Sequence, residues 1–450
     1  MQKLLNQSNL ILKYLVSVFL LIVPLYPKFP FIKIPFTYVS IRIEDFLLAI
    51  LGLIVFAKFL PKFKALLKKP LEKSILLYLL IGLFSLISAI FLTKSVVSTV
   101  AIFHFLRRIE YFVPFFVALL ILREEKDSFL EYLIKLLILI VFVVFIYGFG
   151  QRYFSWPVII TQNQEYSKGI ALKWVPGSHV NSTFAGHYDL ATFLVFLLPI
   201  FVNLFTLIKG KTEKIFFGVL ILIGYWLLSN AVSRISVVSM IFGVSLSLFI
   251  LKKYKEIAIF ILVSALAFSF SKDLRERYLR VIQVTQNKIR QIILIPQKTA
   301  FAAEDMKVKQ EPKEEEVFED RSSSIRLNVE WPRALRAFSK NPFFGTGYSS
   351  ITLATDNDYL RLLGEVGILG FFSFGLILFT ILTYIVKVIP KLSKMNIIER
   401  AFMAGFAGGF SGVLINAIFI DIFEASKFAT LFWFMTGVFT YFYRKYEQIN

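Results

Sequence analysis

The feature that most constrains this chain is a series of long apolar stretches that recur along most of its length. Hydrophobic residues make up 57% of its 450 residues, and the mean hydropathy is +0.70. That is more apolar surface than one soluble core can bury. A helix that crosses the roughly 30 Å hydrocarbon layer of a bilayer needs about 20 mostly apolar residues. We therefore predict an all-α, polytopic membrane protein with about 12 transmembrane helices. They are expected at residues 8–26, 43–60, 75–93, 109–122, 129–150, 187–208, 215–229, 235–251, 256–271, 366–388, 401–420 and 427–443.

Loop charge predicts how these helices are oriented. The formal net charge is +20, but the Lys residues lie mostly in short segments beside the apolar stretches. That placement is typical of topology signals and headgroup anchors, so no nucleic-acid partner is expected. With a cytoplasmic N-terminus, the short inner segments carry nearly twice as many Lys and Arg residues as the short outer ones. Because positive charge is enriched on the cytoplasmic side, we expect both termini there.

This orientation divides the chain into two helical blocks separated by one large extracytoplasmic loop, between the ninth and tenth helices. The predicted boundaries are 1–271 for transmembrane helices 1–9, 272–365 for the outer loop and 366–450 for transmembrane helices 10–12. Within the loop we expect a basic amphipathic helix on the membrane surface, a disordered acidic insert and a segment rich in motifs. These parts cover 272–294, 299–322 and 323–365.

Residue types restrict the possible chemistry. The chain has no Cys, which excludes disulfides, a thiolate nucleophile and Cys-ligated metals. Its only imidazoles are His104, His179 and His187, which disfavours a zinc site. We predict that the protein uses neither a metal nor another cofactor.

Polar residues are concentrated at the predicted outer ends of the helices. Such costly groups beside a bilayer usually mark function. One group spans 181–191 at the start of the sixth helix, and a second, Ser233-Arg234, lies in a tight turn between the seventh and eighth. The motif segment then contains Arg326 with Trp331, the turn 341–347, and 356–360 followed by 365–370.

Taken in this order, these signatures resemble the O-antigen ligase and O-antigen polymerase family of membrane glycosyltransferases. The resemblance covers about residues 180–435, with a weaker match at 107–111 and 148–151. It implies transfer of a glycan from a polyprenyl-diphosphate carrier to an acceptor hydroxyl, without a metal, at the outer face of the bacterial cytoplasmic membrane. The expected partners are therefore a polyprenyl-diphosphate-linked glycan donor, a glycan or lipid-glycan acceptor, and the lipid bilayer.

The resemblance also implies three catalytic residues. Arg234 matches the family's Ser-Arg arginine, and Arg326 matches its loop arginine. Asp356 with Asn357 falls where ligases carry His-Asn. Guanidinium groups stay charged and bind phosphate through paired hydrogen bonds, so both arginines are expected to stabilise the charge that develops on the leaving diphosphate. Asp356 is expected to take the proton of the acceptor hydroxyl, or to orient that hydroxyl.

Two positions depart from the family pattern. Arg326 lies five residues before Trp331, whereas four is commoner in the family, so Arg321 is the alternative loop arginine. Asp356 stands in place of the ligase histidine. This second departure favours a polymerase over a ligase.

Further residues of these outer segments are predicted to bind substrate. They are Arg107, Arg108, His187, Asn357, Asp358, Trp331, Tyr359 and Asp421. Structural roles stay open as alternatives. Asp356 could cap the helix that starts near Asn357, and Arg234 could anchor a helix end to lipid phosphate. Trp331 and Tyr359 could be packing or interface aromatics.

The sequence therefore predicts a multi-pass glycosyltransferase of the bacterial inner membrane, most simply an O-antigen or polysaccharide polymerase. One alternative is an O-antigen ligase that acts on a different acceptor. The other is a polytopic transporter or flippase, which would carry ionisable groups near the middle of the membrane and often related halves. Here the polar residues cluster at one face and no internal repeat is visible.

The predicted orientation can be tested by cysteine labelling, because the native chain has no Cys. An impermeant thiol reagent applied to intact cells should label a Ser323→Cys variant and leave a Lys253→Cys variant unlabelled until the membrane is permeabilised. The opposite pattern would reverse the orientation.

Overall fold

The computed structural model describes residues 2–27, 31–34, 40–125, 128–159, 174–269, 324–352 and 354–448, together with residues 275, 278, 279, 283 and 286. The predicted surface helix at 272–294 lies almost wholly outside these described residues. The predicted acidic insert at 299–322, and with it Arg321, lies outside them entirely.

The apolar stretches form α-helices because a helix satisfies its own backbone hydrogen bonds where water is absent. The described helices are α1 Gln2–Leu25, α2 Ile43–Phe59, α3 Phe63–Leu66, α4 Pro70–Phe91, α5 Ser98–Glu125, α6 Ser128–Tyr153, α7 His187–Leu207, α8 Lys211–Ala231, α9 Arg234–Ile250, α10 Tyr254–Ser269, α11 Trp331–Lys340, α12 Asp358–Val388, α13 Ile397–Asn416 and α14 Ser426–Glu447. Between α1 and α2, β1 Ile32–Lys33 pairs antiparallel with β2 Ser40–Ile41. Each predicted apolar stretch overlaps a helix, and the all-α prediction is confirmed.

The number of membrane spans stays a prediction. By length and composition, 6 of the described helices can cross a membrane: α4, α6, α7, α8, α12 with the turn that follows it, and α13. The apolar helices Leu10–Leu25 and α9 are shorter. The fourth predicted span is longer than expected, because α5 starts at Ser98. Arg107 and Arg108 therefore lie within α5 and not in the predicted loop. Arg107 contacts Asp45, and Arg108 donates a hydrogen bond to the carbonyl of Phe423.

Helix α13 packs between α7 and α9, and small residues make this close packing possible. A Cβ atom on Gly408 would overlap the backbone carbonyl of Gly243 in α9. On its other side, Gly409 lies against the backbone carbonyl of Phe196 in α7. The glycines of α13 therefore let three helix backbones approach one another directly.

Polar side chains fasten these three helices at both ends. At one end, Asn203 of α7 donates to the carbonyl of Ala401 in α13 at 3.3 Å and accepts from Ser247 of α9 at 3.1 Å. At the other end, Asn416 of α13 donates to hydroxyls of α7 and α9, both at 3.1 Å. This second end, where α7 begins and α13 ends, is the predicted outer end and is called the outer end below.

Helix α12 is interrupted at Gly367, and the carbonyls just before this point bind the turn that follows α11. Gly367 has a φ of 73°, a left-handed conformation that glycine tolerates. Just before it, the carbonyl of Gly364 accepts from the N–H of Thr346 at 2.9 Å. The carbonyl of Glu365 accepts from the N–H of Gly347 at 2.8 Å. The turn that follows α11 is thereby fixed against α12.

The glycine packing predicts a large loss of stability for Gly408→Val. The added side chain would meet the backbone of α9, which cannot move aside as a flexible side chain would, and overpacking typically costs about 1–3 kcal/mol. We expect lower membrane accumulation and a lower thermal midpoint in detergent. Gly375→Val in α12 is the matched control, because no atom of the residues that the structure describes lies within 4 Å of a Cβ at that position. Equal behaviour of the two variants would contradict the close packing.

Candidate active site

The centre of the site is an ion pair between Arg326 and Asp356. The Nε and Nη2 atoms of Arg326 donate to Oδ2 of Asp356 at 3.0 and 2.8 Å. Nη2 also donates to the hydroxyl of Tyr188, in the first turn of α7, at 3.3 Å. Among the described residues, Nη1 of Arg326 has no hydrogen-bond partner. The two residues are thus in contact, and one guanidinium nitrogen stays available for a ligand.

A π-turn accounts for the unusual spacing between Arg326 and Trp331. Residues Arg326–Glu330 form a π-helical turn, in which the N–H of Trp331 donates to the carbonyl of Arg326. Residues five apart point to different sides of a regular α-helix, whereas a π-turn takes up one extra residue. The π-turn accommodates the additional residue between Arg326 and Trp331, and Arg326 contacts Asp356 from this turn. This geometry favours Arg326 as the loop arginine.

Asp356 occupies a left-handed backbone conformation, with a φ of 48°, which is uncommon for a residue other than glycine. Its two neighbours are held by one carboxylate. Oδ2 of Asp421 accepts from the N–H of Thr355 at 2.8 Å, and Oδ1 accepts from the N–H of Asn357 at 3.0 Å. Asp421 therefore positions Asp356, while binding of substrate by Asp421 stays a prediction.

The helix cap at this point is Asn357, not Asp356. The Asn357 side chain accepts from the N–H of Leu360 at 2.9 Å at the start of α12. The alternative in which Asp356 caps the helix is therefore wrong, because its carboxylate faces Arg326 instead. Since Asn357 is buried as well as capping, its predicted contact with substrate has no support from this geometry.

Two carboxyl groups of the site are shifted towards their neutral forms. Burial raises the pKa of Asp356 above its ordinary value, which outweighs the opposite effect of Arg326. Burial, and then the negative charge of Asp356, raise the pKa of Glu330 to about 7. Oε2 of Glu330 is buried, and none of the described residues forms a hydrogen bond with it. Groups of this kind are common at functional sites, and sequence reasoning missed Glu330.

A cluster of buried and partly buried charges adjoins the site. Arg361 donates to Asp421 at 3.1 Å and lies 3.5 Å from Glu365 and 3.6 Å from Glu424. Arg108 forms an ion pair with Glu424 and donates to the carbonyl of Phe423 at 3.0 Å. We call Arg108, Arg361, Glu365, Asp421 and Glu424 the arginine–carboxylate cluster. A cavity of about 30 Å³ lies against it.

Asp358 and Tyr359 hold the start of α12 against neighbouring segments, and their binding of substrate stays a prediction. The carboxylate of Asp358 accepts from the N–H of Ile422 at 2.8 Å and from that of Phe423 at 3.2 Å. The hydroxyl of Tyr359 donates to the carbonyl of Leu414 at 3.0 Å. These contacts favour the packing alternative for Tyr359 and join α12 to the loop between α13 and α14.

Arg234 lies at the same end of the bundle. It begins α9 directly after a tight turn, in which Val232 has a φ of 53°, as the sequence indicated. Its carbonyl accepts from the hydroxyl of Tyr278 at 2.9 Å. Two residues further on, the hydroxyl of Ser236 accepts from the side chain of Asn416. The next residue, Ala417, accepts through its carbonyl from the N–H of Asp358 at the start of α12. Arg234 is therefore in the outer layer that also contains the Arg326–Asp356 pair.

The other predicted substrate-binding residues are spread around this pair. The ring of His187 lies tilted against those of His179 and Tyr188, with ring centroids 4.1 and 4.0 Å apart. The Trp331 ring centroid lies 6.2 Å from that of Phe419, and its Nε1 is buried without a hydrogen-bond partner within the described ranges. Arg107 contacts a different segment, since it lies 3.7 Å from Asp45 and donates to the carbonyl of Ser40 at 3.3 Å.

The residues that sequence reasoning missed had only weak signals. Arg361 and Glu365 are spaced as an ion pair on a helix, but that spacing alone is common. Tyr188 is adjacent to His187, and Glu330 precedes Trp331. Both therefore lie within the predicted signatures, but nothing in the sequence distinguishes them from their neighbours. Among the described residues, no three His, Asp or Glu side chains are grouped so as to hold a metal ion.

Comparison with known families supports the resemblance seen in the sequence. Residues 217–375 match the family model described as O-antigen ligase. This stretch includes Arg234, Arg326, Asp356 and the interruption at Gly367. The match confirms the resemblance to the O-antigen ligase and polymerase family. A comparison with curated proteins gives no significant match.

Proposed function

We propose that this multi-pass membrane protein, which carries an O-antigen ligase domain at residues 217–375, transfers glycan from a polyprenyl-diphosphate-linked donor at the outer face of the bacterial inner membrane. Polymerisation of lipid-linked oligosaccharide units is our first choice, because Asp356 replaces the ligase histidine. A ligase would use the same donor chemistry with a different acceptor. The observation that carries the proposal is the contact between Arg326 and Asp356.

The pair supplies the two functions that such a transfer needs. As the acceptor oxygen bonds to the anomeric carbon, the bond from that carbon to the diphosphate oxygen breaks, and the electron pair leaves with the diphosphate. Arg326 stabilises this developing negative charge, since a guanidinium aimed at the leaving oxygen acts most strongly in the transition state. Asp356 accepts the proton of the acceptor hydroxyl.

The ion pair also suggests how donor binding prepares the base. Without donor, Asp356 shares its charge with Arg326. A bound diphosphate competes for the same guanidinium and weakens its hold on Asp356. Because burial already raises the pKa of Asp356, a carboxylate released from Arg326 becomes a stronger base. In this mechanism the acceptor proton is taken only when donor is present.

The distribution of charge supports an enzyme over a transporter. The described ionisable groups of the candidate site lie at the outer end, in and beside the loops before α12 and after α13. A transporter is expected to place such groups near the middle of the membrane. The transporter alternative therefore has no observation of its own in its favour.

The first test replaces each proposed catalytic group while keeping its size or charge. Arg234→Lys and Arg326→Lys keep the positive charge but remove the guanidinium fork, and each should lower turnover at least about tenfold, as expected for the loss of a charge-assisted hydrogen bond. Asp356→Asn keeps the shape but removes the base and should abolish most transfer. The assay is purified protein with a polyprenyl-diphosphate oligosaccharide, read by product size.

Arg152→Lys is the matched control, because Arg152 packs over Trp174 outside the proposed site. A ladder of products would indicate a polymerase, and a single transfer to a separate acceptor would indicate a ligase. Normal turnover in all three site variants would require the site, and the enzyme proposal with it, to be abandoned.

A second test uses the unusual carboxyl group of Glu330. With its pKa at about 7, Glu330 is mostly neutral near pH 6 and mostly ionised near pH 8. Ionisation adds negative charge beside Arg326 and should weaken diphosphate binding, so the KM for donor should rise about threefold to tenfold across this range; one pKa unit corresponds to about 1.4 kcal/mol. Glu330→Gln should flatten this rise. Glu213→Gln, at the other end of the bundle, should leave it in place, and an unchanged slope in Glu330→Gln would exclude the effect.

A further inference from the structure

A polar cleft of about 210 Å³ opens beside the site. It lies between α11, the segment that joins α4 to α5, and the turn before α12. Its polar lining consists of Arg333, Arg336, Lys340, Ser95, Thr346 and Ser350. None of these six residues has been given a role in the transfer reaction above.

The three cations lie along one side of α11. Positions 333, 336 and 340 are three and four residues apart, which places them on one helix face. Ala334, on the neighbouring face, is fully buried and lies against Gly364 of α12. Helix α11 is thus anchored on its apolar side and presents its basic side to the cleft.

These cations have no ionic partner among the described residues. None of the ion pairs there includes Arg333, Arg336 or Lys340. In addition, Nη1 of Arg333 is buried and has no hydrogen-bond partner in the described part of the chain. A buried donor left unsatisfied is unfavourable, and Arg333 lines the cleft in which an anion could pair with its guanidinium. The buried nitrogen is what separates this cleft from an ordinary basic surface.

The opposite wall is polar and held in place. Ser95 donates to the carbonyl of Thr346 at 2.6 Å, and the hydroxyls of Thr346 and Ser350 lie 2.7 Å apart. Thr346 is fixed in turn to α12 through Gly364. A cleft with arginine and lysine on one side and ordered hydroxyls on the other matches the chemistry that recognises phosphate.

The cleft adjoins the Arg326–Asp356 pair. Arg333 lies close enough to Glu330 for its charge to lower the pKa of that carboxyl, although burial dominates. Ile351, which lines the cleft, accepts through its carbonyl from Arg361 of the arginine–carboxylate cluster at 3.1 Å. A phosphate in the cleft would therefore lie beside the proposed reaction centre without replacing the donor diphosphate.

We propose that this cleft is a second phosphate-binding site, which holds the phosphate group of a molecule that docks beside the donor. Two sources share this chemistry: a phosphorylated lipid carrier that brings the acceptor glycan, and an anionic phospholipid headgroup of the outer leaflet. The first source rests on the proposed function, whereas phosphate binding itself does not.

The test compares two triple variants of the full-length protein. The cleft variant carries Arg333→Gln, Arg336→Gln and Lys340→Gln. The control carries Lys62→Gln, Lys64→Gln and Lys68→Gln, which remove the same charge from exposed residues in and beside α3. Both are made with Arg326→Lys as well, so that the proposed donor site contributes less to anion binding. Inorganic phosphate is titrated by calorimetry in nanodiscs of phosphatidylcholine.

We expect the cleft variant to bind phosphate at least about tenfold more weakly than the control. Equal binding by the two variants would overturn the proposal. Thermal unfolding checks that both variants fold. If the triple cleft variant does not fold, Arg336→Gln alone serves, because Arg336 is exposed, and it should weaken binding by several-fold.

Two further arms, made without Arg326→Lys, identify the source. If phosphatidylglycerol in the nanodisc raises the thermal midpoint of the control but not of the cleft variant, the headgroup is the ligand. If the cleft variant instead raises the KM for a lipid-linked acceptor at unchanged kcat, the acceptor carrier is the ligand. Phosphate binding in a protein without glycan transfer would reject the proposed function while leaving the cleft site standing.

Discussion

The carboxylate of Asp421 holds the outer end of this protein together. It accepts hydrogen bonds from the backbone on both sides of Asp356 and from the guanidinium of Arg361. These contacts stabilise a left-handed backbone at Asp356 that the residue would otherwise rarely adopt. They also join the loop before α12 to the loop after α13. The backbone from which Asp356 reaches Arg326 is therefore held on both sides by this one acidic group.

The loop that carries Asp421 is itself anchored from several sides. The carboxylate of Asp358 accepts from the N–H of Ile422 in this loop. Arg108 of α5 donates to the carbonyl of Phe423 in the same loop. Lys427, at the start of α14, is buried and donates to the carbonyls of Tyr26 and Thr183 at 2.7 and 2.6 Å. Buried charges are expensive to desolvate, and here each is paired or hydrogen bonded. Their contribution is to position the loop, more than to add stability.

The helices fix the positions of the outer residues through packing, and the outer segments carry the groups of the proposed chemistry. The glycines of α13 let α7 and α9 approach closely, so the helix ends that carry Arg234 and Tyr188 are set by backbone contact. The outer segments then add two arginines, Arg326 and Arg333, that differ in whether a carboxylate pairs with them. Arg326 is paired with Asp356 until a competing anion arrives, whereas Arg333 forms no ion pair with any carboxylate among the described residues. In the mechanism that we propose, the first site couples binding to chemistry and the second only binds.

The sequence by itself determined the all-α membrane fold, because hydropathy and the 20-residue scale of a membrane-spanning helix are local properties. It also predicted Arg234, Arg326 and Asp356 as catalytic candidates, through short signatures whose order resembles one family. The contact between Arg326 and Asp356, 30 residues apart in the chain, was decided only by the tertiary structure. So were the capping role of Asn357 and the π-turn that absorbs the residue before Trp331. The roles of Arg361 and Asp421 depend on segments about 60 residues apart. No local pattern specifies which of several nearby carboxylates an arginine will meet, because that choice is made by how the helix ends pack.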